Sequence, residues 1–266
     1  GDQAELVNIS VNHLRNIGEH MNNMITSVRP TMEARSVNSD AKSIIQTKLA
    51  NGILDYYFRE KRLEKFLERA VESAIVLAGG YIKMEWNATS GEIVDFSEEL
   101  NSPIYEGDLE FTNLSPFDVY YDGNKEDDYL DWMVVRGFRN RYDLIAKYPE
   151  LEGEILRLPS KNEYEYMDTS SLIMEETDLV AVYEFYHRRT EAMPQGNYML
   201  FLSKDAVLTD VDLPYRKIPV YRIAPSYILG TPYGYTPLFD LLPIQDGINS
   251  LHSTILSNQN ALGLAN

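Results

Sequence analysis

The four histidines, His13, His20, His187 and His252, are the first place to look for metal or proton chemistry, and no cysteine accompanies them. None falls in the His-Glu-x-x-His spacing that sets two imidazoles and a base on one helical face. His13 and His20 stand seven apart and share a face if that stretch is helical. No third ligand goes with them, so an exposed or hydrogen-bonded helix histidine is the simpler reading. Ser39-Asp40-Ala41-Lys42 has the Ser-x-x-Lys form of serine acylases, but the partner motifs Ser-Asp-Asn and Lys-Thr-Gly are missing. Helix N-capping accounts better for Ser39 and Asp40.

The run Asp122-Gly123-Asn124-Lys125-Glu126-Asp127-Asp128 is rich in oxygen ligands but lacks the alternating acids, sixth-position Gly and twelfth-position Glu of a calcium loop. Asp, Gly and Asn are ordinary turn formers. With 41 carboxylates, a glycosidase-style acid pair can be imagined in many places, and sequence spacing selects none. Gly230-Thr231-Pro232-Tyr233-Gly234 is no phosphate cradle: it lacks the Lys-Ser/Thr ending, and Pro232 removes a backbone donor. The aromatics of 180–201 and 215–235 resemble a stacking platform for bases or sugars, with Arg188, Arg189, Arg216, Lys217 and Arg222 nearby. Acidic residues surround them, and packing in a core or subunit interface is the better reading. No catalytic residue, cofactor or metal site is assigned.

The elements that would position these residues follow from periodicity. Residues 5–30 carry helical spacing, stopped by Arg29-Pro30, because a residue before Pro avoids the helical region. Ser39 or Asp40 caps a second helical stretch (Ile44, Ile45, Leu49, Ile53, Leu54) that resumes after Arg59-Glu60-Lys61-Arg62. It gives two helices or one kinked helix, ended by Gly79-Gly80. The period then changes to two. Strands are expected at 81–86, 109–121, 132–138, 179–188, 197–203 and 218–224, a short helix at 140–148, and an acidic loop at 159–178. The order of helices, then strands, then one more helix is that of an α+β fold. N-terminal helices would pack on a mixed or antiparallel β region, in segments 1–80, 81–235 and 236–266.

The last thirty residues are the most distinctive. Pro243 fits a first helical turn. Behind it Ile244, Ile248, Leu251, Ile255 and Leu256 recur at 3–4-residue spacing, one apolar stripe of an amphipathic helix. The opposite face is Gln, Asn, Ser, Thr and one His, with Asp246 its only acid and no Lys or Arg. Such an uncharged polar face suits another polar surface, an identical subunit above all. The expected interface residues are therefore Gln245, Asn249, His252, Ser253 and Gln259. Charged substitutions at Asn249 or Ser253 would then block assembly without unfolding the monomer. Gly1 and the uncapped stop at Asn266 read as the ends of a piece of a longer protein.

Composition excludes some classes. The 266 residues suffice for one large core or two smaller ones, and 44% hydrophobic content with 19 Tyr argues for a folded protein. No apolar run is long enough to span a membrane. The formal charge of −17 is opposite to the basic footprint that grips phosphates, so conventional DNA binding is not expected.

Several stretches, in order, resemble the bacteriophage portal, or head-to-tail connector, family. They are Leu77-Ala78-Gly79-Gly80-Tyr81-Ile82-Lys83-Met84, the run Ser115 to Asp122, and Val182-Tyr183-Glu184-Phe185-Tyr186. Lys217-Ile218-Pro219-Val220 and the loop Gly230 to Tyr235 follow. The last is a helix of the form Leu-x-x-x-Gln-Asp-x-Ile-Asn, here Leu241, Gln245, Asp246, Ile248 and Asn249. The resemblance spans nearly the whole chain. It implies a structural, non-enzymatic subunit of a homo-oligomeric ring, typically of twelve, at the capsid vertex of a virion assembled in the host cytoplasm. The chain would be mostly wing plus the start of the stem, truncated before the clip. The ring would dock terminase and then capsid and tail or adaptor proteins, and pass double-stranded DNA without sequence-specific binding. An acidic wall suits that passage, because it repels phosphate over about a Debye length of ~8 Å. The alternatives are an acidic carboxylate-dependent hydrolase with the Asp122–Asp131 loop at its mouth, or a module binding carbohydrate or protein through its aromatic strands.

Overall fold

The computed structural model describes residues 7–28, 32–97, 102–125, 129–160 and 178–263, and they form an α+β fold divided into two compact units. The first unit comprises the described residues up to Gly80, Ile223–Tyr227 and those from Gly234 onward. The second comprises those of Tyr81–Arg222 and Ile228–Tyr233. The stretches at the two ends of the chain therefore share one unit.

The first unit holds α1 (His13–Thr26), α2 (Ala41–Glu60), α3 (Leu63–Leu77) and α6 (Leu238–Gly263), with the two-residue strands β11 (Ser226–Tyr227) and β12 (Gly234–Tyr235). Asp40 caps α2 as expected, its carboxylate accepting from the Ser43 N–H at 3.2 Å. The first helix is much shorter than the periodicity of 5–30 implied. It begins only at His13, where the Asn12 side chain accepts from the Arg15 N–H, and residues 7–12 are not helical. The Arg29-Pro30 stop lies outside the described residues. The break between α2 and α3 falls at Arg62, which takes a left-handed conformation.

The stop of α3 also differs in detail. Its left-handed residue is Ala78, not Gly79 or Gly80. Gly80 serves a close approach instead: a Cβ there would lie 1.8 Å from the Ala70 carbonyl oxygen. Gly234 meets the Ala78 carbonyl oxygen at the same 1.8 Å. Both glycines are steric necessities around α3, whose buried face is Ala70, Ala74 and Ile75. The buried Thr236 hydroxyl donates to the Ile75 carbonyl, fastening the start of α6 to the end of α3. Pro243 is the sixth residue of α6, not part of its first turn. Phe239 and Asp240 start the helix with bonds to Thr236 and Pro237, and the missing Pro243 donor leaves one gap in the ladder.

The second unit is built on an antiparallel sheet in the order β5-β6-β7-β8-β9: Val119–Tyr121, Trp132–Asn140, Leu179–His187, Asn197–Phe201 and Val207–Val211. A three-stranded sheet runs β10 (Val220–Ile223), β1 (Gly80–Asn87), β4 (Asp108–Leu114), and β2 (Ile93–Ser97) pairs with β3 (Ser102–Tyr105) as a hairpin. Two short helices, α4 (Arg141–Lys147) and α5 (Glu152–Arg157), complete it. The stretch expected to be continuous strand at 109–121 is broken. Ser115 caps a 3-10 turn at Pro116–Asp118 before β5 begins. Of the acidic loop expected at 159–178, residues 161–177 lie outside the described residues.

The central strand β7 alternates as its sequence predicts, with Val180, Val182, Glu184 and Tyr186 on the buried face. Val180 and Val182 join a core cluster with Leu144, Ile155 and Leu200, and Tyr186 joins another with Tyr81, Met133, Val135 and Leu213. Between them on the same face stands a charged residue, Glu184.

Candidate functional site: the two faces of the last helix

Four side chains of α6 at i, i+4 spacing form a row along one face: Gln245, Asn249, Ser253 and Ser257. Against them lies the segment from Val7 to Leu14, running antiparallel. The Val7 N–H donates to Ser257 Oγ at 3.0 Å, Ile9 N–H to Ser253 Oγ at 3.1 Å and Val11 N–H to Asn249 Oδ1 at 3.1 Å. The N–H groups of His13 and Leu14 share Gln245 Oε1 at 3.0 and 3.2 Å. Gln245 Nε2 donates to the Val11 carbonyl at 2.7 Å and to Asn249 Oδ1 at 2.9 Å.

The match is geometric. Four helical residues advance about 6 Å and two extended residues about 6.6 Å, so alternate backbone N–H groups meet successive helical rungs. This is why residues 7–12 leave the helical conformation: their donors find partners on α6. A polar row without charge suits the task, since amides and hydroxyls both give and accept bonds and no ion must be desolvated.

The helix is therefore oriented inside out relative to its sequence. Of the five expected interface residues, Gln245 is buried and Asn249 and Ser253 half-buried, all three engaged by the chain's own segment, while His252 and Gln259 are exposed. Of the apolar row, Ile244 is 59% exposed, Leu251 65% and Ile255 51%. Only Ile248 and Leu256 of the expected row are half-buried. A charged substitution at Asn249 or Ser253 would act first within the chain, by releasing residues 7–11.

The second unit contains a different polar cluster, which joins two of the motifs that carried the family resemblance. Lys83 of β1 reaches both oxygens of Glu184 on β7, at 3.1 and 2.9 Å, and Glu85 at 2.9 Å. The Tyr186 hydroxyl donates to Glu184 Oε2 at 2.6 Å and Arg139 approaches Oε1 at 3.4 Å. Burial alone would raise the Glu184 pKa, but the Lys83 charge, the Tyr186 hydroxyl and Arg139 hold it below its ordinary value. Burial would depress Lys83, and Glu184 and Glu85 raise it instead. The Tyr186 phenol is pushed up by burial and by the adjacent carboxylate. All three directions describe a fixed ion pair beside a neutral phenol. The arrangement fastens strands and leaves no poised acid or base.

The other chemically suggestive residues fall in structural places. Among the described residues no group of three or more His, Asp or Glu is arranged to hold a metal. His187 Nδ1 lies 2.8 Å from the Arg188 carbonyl oxygen, and His13 and His252 are exposed. The Asp122 carboxylate closes a turn by accepting from the Asn124 N–H and side-chain amide, and Asp131 is held by Lys125 and Arg188. Residues 126–128 of that loop lie outside the described residues. Tyr121 lies between Tyr81 and Tyr233, with the Arg222 guanidinium over its ring, and the Phe201 ring stacks on Tyr183. No described helix is long and apolar enough to cross a membrane. Neither a protein-family model nor a curated protein matches the chain.

Proposed function

We propose that this chain is a self-assembling structural subunit of a viral portal ring, without catalytic function. The single observation that carries the reading is the inverted last helix. A helix of 26 residues, about 39 Å long, has its polar row occupied within the chain and three of the five residues of its apolar row, Ile244, Leu251 and Ile255, in solvent. Apolar rows of that length are normally covered, and a repeated copy of the same chain is the partner always present at matching concentration. A head-to-tail contact, in which the row meets a different surface of the neighbour, closes into a ring when the rotation allows. The order of motifs supports the portal assignment, and the −17 charge suits a wall past which DNA moves without adhering. Terminase, capsid and tail or adaptor proteins are the expected partners, in a virion assembled in the host cytoplasm.

The test is negative-stain microscopy of the protein at micromolar concentration. Rings with a central channel are expected, and a compact monomer would contradict the proposal. In a ring-forming protein, Leu251→Asp and Ile255→Asp each place a charge in the covered row. Both are expected to abolish rings while leaving the thermal transition of the monomer unchanged. Intact rings from both variants would remove the helix from the interface.

A further inference from the structure

The open row of α6 has a counterpart on α2. Ile45, Leu49, Gly52 and Tyr56 line one side of that helix, with Ile45 67% exposed, Leu49 64% and Tyr56 56%. The opposite side is the one that packs. It carries buried Phe58 and Asn51, whose side-chain amide closes on the Ala34 main chain at 2.6 and 3.2 Å. Both rows belong to the first unit, and neither covers the other within one copy, since both are open. Their spacing is the same. Ile45, Leu49, Gly52 and Tyr56 advance by four, three and four residues, and so do Ile244, Ile248, Leu251 and Ile255. Each row is therefore about 16 Å long. Alternation of four and three is the seam spacing of packed helices, in which side chains of one enter spaces of the other at a crossing of about 20°.

We infer that α2 is the surface that receives the α6 row of the neighbouring copy, the two helices lying parallel with Ile244 beside Ile45 and Ile255 beside Tyr56. This rests on the assembly proposed above and names the other half of its contact. Gly52 sets the direction. A Cβ there would have no atom within 4 Å, so the position is an open space on the helix surface. In the parallel register Leu251, the most exposed of its row, faces that space. Reversed, half-buried Ile248 would face it and Leu251 would meet Leu49. Charge agrees. Asp240 lies four residues before Ile244 and Lys42 three before Ile45, both exposed, and the parallel register sets them side by side along the seam. Reversed, Asp240 would meet Glu60 and Arg59, the latter already paired with Asp55 at 3.9 Å. The contact joins two different surfaces, so each copy gives one row and accepts one.

The chain has no cysteine, so single-cysteine variants can be mixed in pairs, left to assemble and oxidised with copper phenanthroline. Ile244→Cys is expected to cross-link to Ile45→Cys, and Ile255→Cys to Tyr56→Cys. Ile244→Cys and Tyr56→Cys, about 16 Å apart in this register, are expected not to. Gly52→Trp is expected to keep or raise the monomer Tm, because Gly is a poor helix former, while weakening assembly about tenfold by filling the space. Sedimentation at micromolar concentration separates the possible failures. An oligomer that cross-links only through like positions, only in the reversed pair or in no pair would overturn the inference and leave the ring reading standing. So would an oligomer that Gly52→Trp does not weaken. A chain that sediments as a monomer would overturn both.

Discussion

Along α6 four uncharged side chains hold a backbone segment near the surface, whereas along β7 one buried carboxylate is held by Lys83, Arg139 and Tyr186. The first arrangement distributes its strength. Each side-chain-to-backbone bond contributes about 1 kcal/mol net, and its partners regain water if it opens. The second concentrates it, since removing Lys83 takes the closest counter-charge from a buried carboxylate and leaves it the Tyr186 hydroxyl and Arg139 at 3.4 Å. The row on α6 can thus release its segment piece by piece, while the Glu184 cluster holds together or fails as a unit. A segment that can be released in steps is served by the first device, and strands that must not move by the second.

The largest effect that would sharpen this contrast is at Lys83. Lys83→Met leaves Glu184 buried beside two core clusters and is expected to cost about 3–5 kcal/mol by denaturant unfolding. Lys83→Met combined with Glu184→Leu should recover most of that loss, because neither charge then remains in the interior. A double variant as unstable as the single one would mean that packing, not charge, dominates there.

Acid provides the next separation. Glu184 has a lowered pKa in the folded protein, so its stabilisation is complete above its ordinary value of 4.5 and is lost as pH falls through the lower folded value. Lys83 has a raised pKa, so its contribution is complete below its ordinary value of 10.5 and is lost as pH rises through the higher folded value. Glu184→Gln is therefore expected to flatten the acid limb of a Tm-against-pH profile. No rung on α6 titrates, so Gln245→Ala should lower the whole profile without changing its shape. A changed acid limb in Gln245→Ala would break the distinction.

Smaller effects grade the row itself. Gln245→Ala removes the acceptor of two N–H groups and the donor to the Val11 carbonyl, and is expected to cost about 1–3 kcal/mol. Ser257→Ala, at the far rung, removes one bond and should cost under about 1 kcal/mol. Hydrogen exchange along residues 7–14 reads both. Acceleration at His13 and Leu14 is expected for Gln245→Ala, and at Val7 alone for Ser257→Ala.

Much of the fold was legible because its signals are local. Asp40 is a good cap before helical spacing, and β7 alternates along its whole length. The hairpin of β2 and β3 was missed because Ile93-Val94-Asp95-Phe96 has neighbouring apolar residues in place of alternation. The apolar row of α6 was legible from its 3–4-residue spacing, but the spacing along one helix does not say what packs against either of its faces. The i, i+4 run Gln245, Asn249, Ser253, Ser257 was available as a signal, opposite Val7, Ile9 and Val11 at spacing two. Glu184 was also legible by register, since it falls on the same strand face as Val180, Val182 and Tyr186. Its partner Lys83 was not, because their pairing is a property of how distant strands meet.

The central claim is that the last helix turns its polar row to the chain's own segment and its apolar row to other copies. The absence of cysteine permits a direct measurement with two single-cysteine variants, Leu251→Cys and Ser253→Cys, by maleimide labelling before and after assembly. The account predicts rapid labelling at 251 in the monomer, protection at 251 in the assembly, and slow labelling at 253 in both. Rapid labelling at 253 with 251 protected in the monomer would contradict it.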